Sequence, residues 1–120
     1  MFVYAATDIF DKRDTAKLRN ERSFKPVGAF LQDTPFGLAV VTAYAGPEGD
    51  KQKSLALTQA RALVVREHLA RKFRIDDTRI KTKGMGEDAQ TDSRQASRVE
   101  ILIYPVESPA TSTAGGTVRR

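Results

Sequence analysis

Apolar residues recur along the chain in clusters whose spacing switches between strand and helix periods. Phe2 to Phe10 carries Phe, Val, Tyr, Thr and Ile and predicts a first strand. Asp11 to Arg22 is too charged and too poor in apolar period for a buried element, which predicts a loop or an exposed turn of helix. Phe24, Val27, Phe30 and Leu31 repeat at helical spacing and predict the buried stripe of a helix. Ser23 would cap it, and Pro26 fits its first turn. Thr34-Pro35-Phe36-Gly37 ends it. Leu38 to Tyr44 is nearly all apolar and predicts a central second strand. Ala45 to Asp50 has the composition of a turn.

Lys51 to Phe73 contains no proline or glycine and predicts a long helix. Leu55, Ala62, Val65, Leu69 and Phe73 would form its buried face, with Leu57, Arg61, Val64 and His68 on the adjacent one. Asp50 suits its N-cap, and Lys72 and Arg74 suit its other end. Ile75 to Arg79 is a connector. Ile80-Lys81-Thr82-Lys83 alternates as a third strand, which Gly84-Met85-Gly86-Glu87 would end in a turn. Glu87 to Ser97 reads as a polar loop, and Arg98 to Tyr104 as a final strand that Pro105 closes. From Glu107 the chain is Ser, Pro, Ala, Thr and Gly, so residues 1–105 are expected to form one domain and residues 106–120 a disordered tail. The order strand, helix, strand, long helix, strand, strand predicts an α+β fold. Both helices would lie on one face of a small mixed sheet in a two-layer sandwich.

The 120 residues suffice for one domain, and a content of 40% hydrophobic and 29% charged residues is globular. No stretch approaches the ~20 apolar residues of a spanning helix. The first residues, Met1-Phe2-Val3-Tyr4, lack a basic leader. The chain is therefore expected either to stay inside the cell or to be an excised part of a longer exported or anchored protein. In the second case membrane attachment would come only through regions outside it. Cysteine is absent, which excludes disulfides and thiolate metal sites. The net charge of +5 favours anionic partners. Nucleic acid is not expected among them, because tryptophan is absent and no aromatics interleave the basic stretches. His68 is the sole histidine, so neither a metal nor another cofactor is expected. Gly84-Met85-Gly86 lacks the third glycine of a dinucleotide loop, since Ala89 stands there. No catalytic residue is assigned, and the chain is read as not an enzyme.

The run Leu57-Thr58-Gln59-Ala60-Arg61-Ala62-Leu63-Val64-Val65 resembles the L-S-x-x-R-A-x-x-V signature of OmpA-like domains. That family includes peptidoglycan-associated lipoproteins, flagellar stator subunits and outer-membrane porin tails. Phe10-Asp11-Lys12-Arg13-Asp14 is similar to its F-D-K segment, and Arg74 to Ile80 to its post-helix link. Gly84-Met85-Gly86-Glu87 resembles its G-x-G-E turn, and Ser97-Arg98-Val99-Glu100-Ile101 its final strand. The resemblance covers about residues 8 to 104 and implies the same strand and helix order. It implies a cell-envelope or periplasmic domain that binds peptidoglycan noncovalently through the diaminopimelate of the stem peptide. Arg61 would fork onto the carboxylate, with Phe10, Asp11 and Leu57 around it.

The ammonium-gripping aspartate of the family falls on Gly46, and its asparagine before the helix signature falls on Ser54. Glu48 and Asp50 are near enough in sequence to substitute, with a different projection. Weakened peptidoglycan binding is therefore one expectation. The alternative is a degenerate member that keeps the fold as an interaction or structural module for an envelope protein.

Overall fold

The structure is a computed structural model that describes residues 1–12, 15–46, 50–87 and 97–106. Glu48, the polar segment at 88–96 and the tail from Glu107 lie outside the described residues.

Strand β1 runs Phe2–Ala5 and stops short of the Phe10 expected from composition. The Ala6 N–H leaves the strand direction to bond the Ser97 carbonyl at 3.0 Å. Ala6–Ile9 then makes a single helical turn, α1, which buries Ala6 and Ile9 without extending the sheet. The segment after it folds back on itself. Phe10 bridges Leu18, the Asp11 N–H bonds the Lys17 carbonyl at 2.8 Å, and the Arg19 N–H bonds the Ile9 carbonyl at 2.8 Å. The charged stretch is thus the loop its composition implied, although Leu18 packs against the core.

A 3₁₀ turn at Glu21–Phe24 leads into α2, Lys25–Asp33, with Pro26 in its first turn. Ser23 lies inside the 3₁₀ turn and is not the cap; Phe24 holds that position without a side-chain hydrogen bond. Phe24, Val27 and Leu31 are buried as expected. Phe30 is not: it is 41% exposed and meets Phe2 edge-on, with ring centroids 6.0 Å apart.

Strand β2 spans Leu38–Ala45, α3 spans Lys51–Lys72, β3 spans Ile80–Glu87 and β4 spans Arg98–Tyr104. The four-stranded sheet has the order β1-β4-β2-β3, with β2 parallel to β3 and β4 antiparallel to both β1 and β2. Ala39, Val41, Ala43, Val99, Ile101 and Ile80 face one side of the sheet. There they share a single core with Phe24, Val27 and Leu31 of the α2 region and Ala62, Val65 and Leu69 of α3. The expected two-layer α+β sandwich is the architecture found.

Two differences lie where α3 crosses β3. The buried stripe of α3 is Ser54, Thr58, Arg61, Ala62, Val65 and Leu69, whereas Leu55 is 43% exposed. The third strand also continues through Gly84-Met85-Gly86 to Glu87 instead of turning there. The two facts have one cause. The Thr58 hydroxyl donates to the Leu55 carbonyl at 3.0 Å and accepts the Gly86 N–H at 2.9 Å, tying helix to strand. Contact is so close that a Cβ on Gly84 would sit 2.4 Å from the Gln59 backbone nitrogen. A glycine pair lets the strand run on beneath the helix. Backbone cannot give way as a side chain does, so Gly84→Ala is expected to cost about 1–3 kcal/mol in urea unfolding.

Candidate functional site

The carboxyl ends of β1, β2 and β3 and the amino ends of α3 and β4 meet at one end of the sheet. In open α/β sheets this is where connecting loops can surround a ligand. The signature helix places Arg61 there. Its side chain is only 2% exposed, although the guanidinium is charged at all working pH values. Nε donates to the Thr15 carbonyl at 2.8 Å, Nη2 to the Lys12 carbonyl at 3.2 Å and Nη1 to the Ser97 hydroxyl at 3.4 Å. The ring of Phe10 lies beneath it, with the guanidinium carbon 4.4 Å from the centroid. Arg61 thus gathers the loop after Phe10 and the residue before β4 onto the helix.

The structure brings Phe10 to Arg61. It places Leu57 one turn earlier on α3, partly buried, and Asp11 in the folded-back loop with an exposed side chain. Ser54 is buried at the start of the helix. Gly46 follows β2, half-buried, and contributes no side chain. Asp50 does what its N-cap assignment anticipated: its Oδ1 accepts from the Gln52 and Lys53 N–H groups at 2.8 and 3.3 Å. That engagement occupies one oxygen of a carboxylate that the sequence offered as a substitute for the family's aspartate; Glu48, the other candidate, lies outside the described residues. Sequence reasoning did not single out Thr15, Lys12 or Ser97 as partners of Arg61. The first two contribute backbone carbonyls, which carry no side-chain signature. Among the described residues there is no cluster of three or more acidic or histidine side chains that could hold a metal.

Comparison with known proteins gives no match to a protein-family model and none to a curated protein sequence. Solved structures do match. The periplasmic domain of Helicobacter pylori MotB aligns with TM-score 0.75 at 12% identity, over 86% of this chain and 74% of that one. The OmpA-like domain of FopA1 from Francisella tularensis aligns with TM-score 0.63 at 19% identity, over 82% and 71%. The peptidoglycan-associated lipoprotein from Burkholderia pseudomallei aligns with TM-score 0.66 at 16% identity, over 79% and 87%. The fold is OmpA-like.

Within this OmpA-like fold the signature residues have separable structural duties. Thr58 fastens β3, Arg61 fastens the Phe10 loop, and Ala62 with Val65 fills the core against the sheet.

His68 sits away from this end. It is half-buried, with its ring centroid 5.3 Å from that of Phe24 and 6.1 Å from that of Phe73. Its Nε2 is buried and has no hydrogen-bond partner among the described residues. Burial holds its pKa below the usual imidazole value; Glu21 opposes the shift, and Lys72 and Arg71 reinforce it. A group that resists protonation in the fold contributes full stability above its unfolded pKa of about 6.5. As pH falls below that value the unfolded chain takes up a proton that the folded chain refuses, and stability declines. Thermal melts from neutral pH downward should show this fall, and it should flatten in His68→Phe.

Proposed function

We propose that the domain is a non-catalytic envelope module that binds peptidoglycan through the diaminopimelate of the stem peptide, with Arg61 as the anchor for its carboxylate. What supports the reading most is the position of Arg61 at the loop-bearing end of an OmpA-like fold, stacked on Phe10. A structure of the same fold bears the name peptidoglycan-associated lipoprotein, and another is a periplasmic domain. The physics is consistent with a carboxylate guest. The acceptors of Arg61 include two carbonyls and a hydroxyl, and the hydroxyl contact is long at 3.4 Å. A carboxylate makes charge-assisted bonds roughly twice as strong as neutral acceptors do, so it would compete well against these for the guanidinium. Phe10, Asp11, Leu57 and Ser54 would line the approach. The ammonium of the ligand would be held weakly, because Gly46 offers no carboxylate and that of Asp50 serves the helix cap. The same observation favours a second reading, in which the fold serves as an interaction module for an envelope protein.

Sedimentation with diaminopimelate-type sacculi separates the two. The first reading expects the protein to pellet, to be released by free meso-diaminopimelate, and to resist release by moderate salt. Arg61→Lys, which keeps the charge and loses the fork, should pellet less while remaining folded. Absence of pelleting by the wild type rejects peptidoglycan binding and leaves the second reading.

A further inference from the structure

Helices α2 and α3 cover one face of the sheet, and the described residues leave the other face open. The strand register maps that face residue by residue, because side chains directly opposed across a ladder point the same way. Leu102 opposes Val40, which opposes Lys81; Tyr104 opposes Leu38; Val3 opposes Glu100, which opposes Thr42, which opposes Lys83. Val3, Leu102 and Tyr104 are 54%, 39% and 46% exposed. A sheet face kept in water ordinarily alternates to polar residues. Here the half furthest from Arg61 is apolar across adjacent strands, and Lys81 and Lys83 on the outer strand border it with exposed ammonium groups. Among the described residues, the carboxylate on this face is that of Glu100, and Arg98 takes it at 2.7 Å. Arg98 in turn lies over Tyr44, with its guanidinium carbon 4.0 Å from the ring centroid. The face is therefore apolar in one half and net positive at its border.

We infer that this open face is a second docking surface and that its occupant is an anionic lipid surface. The chemistry fits three requirements of interfacial binding. Apolar side chains of three adjacent strands, Val3 of β1, Leu102 and Tyr104 of β4 and Leu38 and Val40 of β2, spread over a breadth of about 10 Å rather than along a single strand. Tyrosine favours the boundary between apolar and wet layers. Lysines at the rim can lay their stems on the apolar zone and reach the headgroups. A second copy of the chain suits the face less well, since each copy carries a net charge of +5 and would set Lys81 and Lys83 against like charge. The surface lies on the opposite side of the sheet from α3, so it does not depend on what Arg61 binds.

The test is co-sedimentation of the full chain with vesicles of equal parts phosphatidylglycerol and phosphatidylcholine, compared with phosphatidylcholine alone. The mixed vesicles should bind at low salt and the neutral ones far less. Lys81→Glu with Lys83→Glu should weaken partitioning by about 25-fold or more, from roughly fivefold per lysine lost. Leu102→Ser with Tyr104→Ser should weaken it too, and circular dichroism should show both variants folded because all four positions are exposed. Failure of the wild type to bind anionic vesicles overturns the proposal. So does binding that neither double variant changes, which would place the contact on another basic face. A dimer in analytical ultracentrifugation that Leu102→Ser with Tyr104→Ser dissolves would assign the face to a second copy instead. Capture of a polyglutamate peptide without vesicle binding would assign it to an acidic protein.

Discussion

Arg61→Ala is expected to lower the stability of the domain by about 3–5 kcal/mol, a large share of the roughly 5–15 kcal/mol available to a domain of this kind. The loss has three sources. The stem and guanidinium leave a cavity in a position that is 2% exposed. The Thr15 and Lys12 carbonyls and the Ser97 hydroxyl lose their donor. The contact with Phe10 disappears, and with it the clamp on the loop that carries Asp11. Urea denaturation reads the total. Arg61→Met, which fills most of the volume and restores none of the hydrogen bonds, should recover only the packing part. Equal loss in the two variants would mean that hydrogen bonding dominates. No loss in Arg61→Ala would mean that the guanidinium is not a structural hub.

Gly46→Asp is expected to tighten peptidoglycan binding by about 2–4 kcal/mol, or roughly 30- to 1000-fold. The family resemblance puts an aspartate there, and of the two acidic residues near enough in sequence to replace it, Asp50 caps α3. Gly46 is not among the positive-φ residues, so its backbone accommodates a side chain. The substitution adds a carboxylate at the loop end already occupied by Arg61, where it can meet the ammonium of a ligand whose carboxylate Arg61 holds. Titration of the wild type and variant with soluble stem peptide measures the change. An affinity that stays the same would show that this end of the sheet does not read the ammonium.

The parts of the fold with long, unmixed patterns were legible. The apolar run Leu38 to Tyr44 and the final strand from Arg98 to Tyr104 carry their period in side chains that face the core. The Asp50 cap was legible because its chemistry is local. Apolar spacing points to the wrong face at the amino end of α3, where Ser54, Thr58 and Arg61 are inside and Leu55 is outside. A search for apolar periodicity selects Leu55; only knowing what Thr58 and Arg61 bond to makes the polar stripe intelligible. Composition extends the first strand too far because Ile9 and Phe10 look like strand residues. They are buried by the helical turn and fold-back instead. Gly84 and Gly86 resembled a turn because glycine marks both a bend and a close approach, and here Gln59 and Thr58 decide for the latter. Of the candidate site, the family signature located Arg61 and Phe10. The backbone carbonyls that hold the guanidinium could not be found from side-chain types.

Arginine side-chain NMR tests the central claim most directly, by following the Arg61 Nε–H signal while a diaminopimelate stem peptide is added. The account predicts that this signal moves together with the amides of Phe10, Gly46 and Leu57, and that a peptide with its diaminopimelate carboxylate amidated leaves them in place. Saturating peptide that leaves the Arg61 signal unmoved, or that shifts residues only elsewhere on the domain, would contradict it.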